Sequence, residues 1–295
     1  MFEGFDLANI NVGDVSLRVR YGGSCTPVLL LHGHPRTHTT WYQVAPILAE
    51  QYTVVCPDLR GYGESSKPPM DADHTPYSKR VMAQDCVALM RHLGHSRFAV
   101  VGHDRGSYVA SRLALDHPSA VSALAYLGGV PIGEALSRCH AKFATQWWHW
   151  FFFGQPETPE RVINADPDAW YGIGTRSTPE RLGPENFADF AAAVRNPETV
   201  HAMLEDYRAG LGVDRAADDE DSAAGRQVRC PTMIVSALRD DTHDMFGPVL
   251  DVWRSWASDV HEVRISSGHH IAEEAPHELA AALLTFLARA LPQSQ

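Results

Sequence analysis

Three short stretches hold residue types that could act on one another. In Gly102-His103-Asp104-Arg105-Gly106 an acidic side chain stands between two glycines, directly after the apolar run Phe98–Val101 and directly before a helix-like stretch. A strand that turns sharply into a helix leaves no room for side chains beside the turn, so flanking glycines mark a residue pushed out to react. Here that residue is Asp104, and a helix start beneath it favours its charge. No Gly-x-Ser-x-Gly stands elsewhere in the chain. A simple N-cap role for Asp104 explains neither both glycines nor the strand before it. The second stretch is His32-Gly33-His34-Pro35, after the apolar run Val28–Leu31. A loop there can offer the His34 N–H to a developing oxyanion, with the Arg105 N–H as second donor. The third is Ser267-Gly268-His269-His270, late in the chain. His269, just after the glycine, is the expected base, and His270 is its competitor.

An aspartate in this position implies chemistry in two steps. The carboxylate attacks carbon and forms an enzyme ester. A histidine then takes a proton from water, and the hydroxide attacks the ester carbonyl. A second acid must hold the imidazole tautomer and stabilise its charged form. No metal and no organic cofactor is called for.

The elements that position these residues follow from hydrophobic pattern. Val15–Tyr21 alternates and reads as an early antiparallel strand. Val28–Leu31, Tyr52–Cys56, Phe98–Val101, Ala123–Leu127 and Met233–Val235 are short apolar runs, which suit strands buried on both faces. Helical stretches lie between them at Trp41–Glu50, Ser78–Leu93 and Arg105–Leu115, and Pro276–Ala290 reads as a closing helix. Strand and helix in alternation imply right-handed crossovers and a mostly parallel sheet. From about Glu134 to Gly225 the strand pattern stops, and aromatic helical sequence takes over, including Trp147, Trp148, Trp150, Phe151–Phe153, Trp170, Tyr171 and Tyr207. The expected organisation is a core of residues 1–133 and 226–295 interrupted by a helical lid, 134–225. Asp218-Asp219-Glu220-Asp221 reads as a solvated loop.

Composition narrows the function classes. The 295 residues are 44% apolar, enough for a sizeable core. A formal net charge of -11 argues against nucleic acid as a partner. Cys25, Cys56, Cys86, Cys139 and Cys230 are scattered without close pairs, which fits reduced thiols in the cytoplasm. No signal peptide opens the chain and no apolar run is long enough to span a membrane. A small molecule is the expected partner. The oligomeric state stays open, with a homodimer among the options.

With these residues in view, the sequence resembles the haloacetate (fluoroacetate) dehalogenases of the α/β-hydrolase fold, relatives of the epoxide hydrolases. The resemblance runs from the His32 loop to Glu273-Glu274-Ala275-Pro276. It includes Asp58–Ser66 with Lys67-Pro68, His103–Gly106, Ala114–Pro118, His149-Trp150 and Asp206-Tyr207-Arg208-Ala209-Gly210. It implies an α/β fold with a helical lid, and an Asp104 that attacks the carbon bearing the halogen. His149, Trp150 and Tyr207 would hold the halide, and Arg105 would grip a substrate carboxylate. Two positions depart from the pattern. Tyr108 stands where the family has a second carboxylate-binding arginine, and a neutral phenol cannot form the bidentate charged pair. Arg36 is the candidate replacement charge. Where the family carries its acid after the Ala123–Leu127 strand, this chain has Gly128-Gly129. Epoxide hydrolases and some haloalkane dehalogenases place that acid after a later strand, which lands on Asp240 here. Asp241 is the second choice, Glu134 the third, and a plain solvated turn the alternative. The expected activity is a dehalogenase of small haloacids. An epoxide hydrolase is the alternative, and a binding protein without turnover the outsider.

Overall fold

The computed structural model describes residues 1–291. Strands β1 (Asp6–Asn11), β2 (Ser16–Gly22), β3 (Pro27–Leu31), β4 (Thr53–Pro57), β5 (Phe98–His103), β6 (Val121–Leu127), β7 (Thr232–Ala237) and β8 (Val260–Ile265) form one sheet. Its order is β1-β2-β4-β3-β5-β6-β7-β8. β1 pairs β2 and β2 pairs β4 antiparallel, and every later pairing is parallel. The fold is therefore the α/β-hydrolase fold, with its mostly parallel sheet.

The central strands are apolar on both sides because both faces are covered. On β3, Val28 and Leu30 join the cluster beneath α1 (Val44–Ala49) and the closing helix, while Leu29 and Leu31 join the cluster on the opposite face. Alternation along a strand sends successive side chains to opposite faces, so one continuous apolar run feeds two cores. The second face carries α2 (Lys79–His92) and α3 (Arg105–Asp116). Its cluster continues without a break into Trp150, Phe153 and Tyr207.

Between β6 and β7 lie α4 (Ile132–Ser137), α5 (Ala141–Gln146), α6 (Trp148–Phe153), α7 (Thr158–Ala165), α8 (Pro167–Tyr171), α9 (Pro179–Leu182), α10 (Pro184–Val194), α11 (Pro197–Ala209) and α12 (Arg215–Ala223). After β7 come α13 (Thr242–Phe246) and α14 (Val249–Trp253), and after β8 come α15 (Ile271–Glu274) and the closing α16 (Pro276–Ala290). Among the described residues no helix is long and apolar enough to cross a membrane.

Two sequence expectations need correction. Strand β1 was not foreseen, because half of its residues are polar and only Ile10 is buried. Edge strands are commonly polar in this way. The run Asp218–Asp221 is helix, not solvated loop. Asp218 and Asp221 lie three apart on one face of α12, and Arg112 of α3 pairs with both, at 2.8 and 2.5 Å.

Candidate active site

The turn from β5 into α3 is as tight as its glycines suggest. Asp104 sits at φ 50 and ψ -120, a conformation that costs an L-residue energy. A Cβ on Gly102 would fall 2.3 Å from the Gly106 carbonyl oxygen, and one on Gly106 would fall 2.3 Å from that of His32. Gly33 faces the nucleophile itself, since a Cβ there would lie 2.4 Å from the Asp104 carboxylate. The absence of three side chains thus clears the approach to one carboxylate. The His34 N–H donates to Asp104 Oδ1 at 2.7 Å. The Arg105 N–H begins α3 next to it, one of the donors that a helix start leaves unpaired.

The structure brings Asp104, His269 and Asp240 together. His269 Nε2 lies 3.7 Å from Asp104 Oδ2, and His269 Nδ1 lies 3.0 Å from Asp240 Oδ2. Neighbouring backbone fixes the ring. His103 Nε2 donates to the His269 carbonyl at 2.7 Å, and Glu274 accepts from the Gly268 N–H at 2.7 Å. The β7 and β8 loops are also joined directly, by the Arg239 N–H on the Ser267 carbonyl at 3.0 Å. The other candidates stand elsewhere. Asp241 accepts from Trp147 Nε1 at 3.1 Å, and its N–H donates to Asp240 Oδ1 at 2.7 Å. Glu134 accepts from Trp256 Nε1 at 2.8 Å. His270 lines the cavity, but its Nδ1 is buried with no hydrogen-bond partner.

Electrostatics fits the two-step chemistry. Burial favours a neutral Asp104, yet the hydrogen bond and charge of His269 outweigh it and hold the carboxyl well below the usual range. Burial also disfavours charge on His269, but Asp104 and Asp240 on either side raise it to about 10. The resting site is an ionised nucleophile beside an imidazolium. Burial lowers His34 to about 3 and His149 to about 4, so both rings are neutral at neutral pH.

A cavity of about 300 Å³ lies over Asp104. His34, Tyr108, His149, Trp150 and Tyr207 line it together with His269 and Asp240. Arg105, expected to grip a substrate carboxylate, does not line this cavity. Its side chain is 1% exposed, and Nε and Nη2 donate to Asp206 at 3.1 and 2.9 Å. The Tyr207 ring covers the guanidinium at 4.1 Å, and Tyr108 and Trp150 lie beyond it. Arg105 Nη1 is buried without a hydrogen-bond partner. The cause is Asp206 of α11, which also takes Lys79 and accepts from Tyr62 Oη at 2.6 Å. Asp206 anchors the helix that carries Tyr207, a role no local pattern announces. Arg36 is likewise occupied: Nε and Nη2 donate to Glu273 at 2.9 and 3.0 Å. Among the described residues no cluster of His, Cys, Asp and Glu is arranged to hold a metal ion.

Trp147 and His103 were missed. Trp147 lines the cavity and stacks on Trp150 at 5.3 Å. It was read only as part of an aromatic segment, and nothing local distinguishes it from Trp148, which is exposed. His103 sits inside the nucleophile motif, but its role depends on a loop far along the chain.

Comparison with known proteins agrees with this geometry. A family model described as the α/β hydrolase fold matches residues 26–276. The chain is 41% identical to a fluoroacetate dehalogenase of Burkholderia sp, over 98% of this chain and 96% of that protein. It is 29% identical to a soluble epoxide hydrolase of Corynebacterium sp. (strain C12), over 90% of this chain and 91% of that one. Among solved structures, a Pseudomonas aeruginosa protein provisionally named an epoxide hydrolase superposes with a TM-score of 0.90 at 41% identity, covering 98% of this chain and 97% of that one. The curated relatives matched over nine-tenths of the chain or more are hydrolases, and the chain belongs to the α/β-hydrolase family.

Proposed function

We propose that this chain hydrolyses carbon–halogen bonds in small organic molecules, through an ester on Asp104. The observation that carries this reading is the His269 ring, set between Asp104 and Asp240 under a cavity roofed by His149, Trp150 and Tyr207. Asp104 Oδ attacks the carbon in line, the C–O bond forms, and the C–halogen bond breaks with its electron pair leaving on the halide. His149, neutral at neutral pH, and the Trp150 indole offer N–H donors to that halide in a site shielded from water. Esterification removes the charge of Asp104. His269 then loses one of the two carboxylates that kept it protonated, so its pKa falls and it becomes a base only when a base is needed. It takes a proton from water, and hydroxide attacks the Asp104 carbonyl. The oxyanion that forms is served by the N–H groups of His34 and Arg105. The oxyanion collapses, the bond between Asp104 Cγ and the substrate-bound oxygen breaks, and the leaving alkoxide takes the proton held on His269 to give the alcohol. Likeness to the Burkholderia fluoroacetate dehalogenase supports the reading over the full chain.

Epoxide opening is the second reading. Two tyrosines, Tyr108 and Tyr207, line the cavity, and a phenol can protonate a leaving alkoxide. Parallel assays decide between them: haloacetates and haloalkanes scored for halide, small epoxides scored for diol. Halide release without diol supports the dehalogenase, and diol alone reverses the order. The five unpaired thiols support a cytoplasmic site for the reaction.

A further inference from the structure

A second cavity, of about 540 Å³, adjoins the catalytic one, and His34, His149 and His270 line both. Its walls differ in kind from those around Asp104. Trp148, Phe153, Trp170 and Phe190 make it apolar, and Arg176 and Arg181 stand at its exposed rim. Arg176 Nη2 donates to the Trp170 carbonyl at 3.2 Å. Among the described residues neither arginine has a salt-bridge partner, unlike Arg36 in the same cavity, which Glu273 neutralises. Tyr171 also lines this chamber, and its hydroxyl is buried with no hydrogen-bond partner. A buried hydroxyl without a partner is unfavourable, and an acceptor brought by a ligand would relieve it.

The catalytic cavity offers an anion little free charge. The Arg105 guanidinium is tied to Asp206 through Nε and Nη2, Tyr108 is neutral, and the one cation in the lining, His269, is already shared between the carboxylates of Asp104 and Asp240. Cations without salt-bridge partners stand at the rim of the second chamber instead, past the three histidines that line both cavities. Resting on the nucleophile assignment above, we infer that the preferred substrates are elongated: a reactive carbon at one end, an apolar spacer, and a carboxylate held at the second chamber by Arg176, Arg181 and Tyr171. Such a molecule places its charge away from Asp104 and its spacer against the aromatic walls. The arginines also give an acidic protein a local positive entrance, which raises the encounter rate with anions.

The test is bromide release from carboxylic acids of increasing chain length that carry bromine on the terminal carbon, each compared with its primary amide. Wild-type kcat/KM should rise with length for the acids and exceed that of the matching amides. Arg176→Gln with Arg181→Gln should raise KM for the long acids about tenfold, the scale of a charged hydrogen bond, and leave the amides unchanged. Tyr171→Phe should act in the same direction with a smaller effect. Equal rates for long acid and amide, or equal losses on both in the double variant, would overturn the inference while leaving the nucleophile assignment intact. Bromide from none of these compounds would count against the nucleophile assignment. The chamber is then tested alone, by calorimetric titration of the Asp104→Asn protein with unbrominated hexanoate. Binding that disappears in the arginine variants supports the chamber, and no binding in either overturns it.

Discussion

The floor and the roof of the catalytic cavity are built by different rules. The floor is backbone: a strained turn at Asp104, glycines at positions 33, 102 and 106, and loops after β7 and β8 that bring Asp240 and His269 to one line. The roof is side chains from α6 and α11, and its position depends on one buried ionic cluster around Asp206. Backbone geometry of this kind is set by local sequence, and it fixes the type of reaction. A packed aromatic roof depends on distant partners, and it fixes which molecule reacts. Fold and reaction class can therefore persist while the substrate changes, and Tyr108, which lines the cavity, is a position where such a change would act.

Substitutions on the floor should abolish chemistry. Asp104→Asn is expected to lower turnover about a million-fold, the scale of removing a nucleophile, with wild-type thermal stability in the same preparation. Asp240→Asn should cost about 10⁴-fold, through loss of imidazole orientation. Asp241→Asn should cost far less, because its carboxylate faces Trp147. A larger loss at Asp241 would move the acid by one residue and leave the fold unchanged.

A substitution in the roof should act on stability as well as on rate. Asp206→Asn leaves Arg105 and Lys79 buried with too little counter-charge, and breaking a buried pair costs about 3–5 kcal/mol. Chemical denaturation should show that loss, and turnover should fall because Tyr207 is no longer held. Unchanged stability would mean that the cluster does not anchor the roof.

The pH dependence separates the two steps. Asp104 stays ionised well below neutral pH, so the first step continues in acid. The ester form of His269 must be neutral to act. Its pKa lies below the resting value of about 10, and acid protonates it. Lowering the pH should therefore stall hydrolysis while alkylation continues. Quenched-reaction mass spectrometry should find ester accumulating at about pH 5 and little ester at about pH 8.

The legibility of the sequence follows the same division. Asp104 and His269 were readable because glycine, strand and helix signals surround each of them within a few residues. Asp240 was readable only as one of two adjacent acids. The choice between them rests on which carboxylate Trp147 occupies, and Trp147 is 94 positions from Asp241. The ion pair that holds Arg105 was not readable, because its partner Asp206 lies 101 positions away and a tertiary ion pair leaves no local pattern. Asp218 and Asp221 did carry a signal, helical spacing across an acidic run, which a charge count alone overlooks. The smallest expected effect comes from Tyr108 itself. Tyr108→Arg should raise kcat/KM on haloacetates about tenfold, the contribution of one charged hydrogen bond. No gain would show that a single cation beside the nucleophile is not what limits these substrates.

The central claim is that Asp104 carries the reaction as a covalent ester. The direct test is intact-protein mass spectrometry of His269→Ala after incubation with a substrate that the wild type turns over. The account predicts a stable adduct of the substrate minus its halide, mapped by peptide analysis to Asp104, because only the second step needs the base. An adduct on another residue, or an unmodified protein that still releases halide, would contradict it.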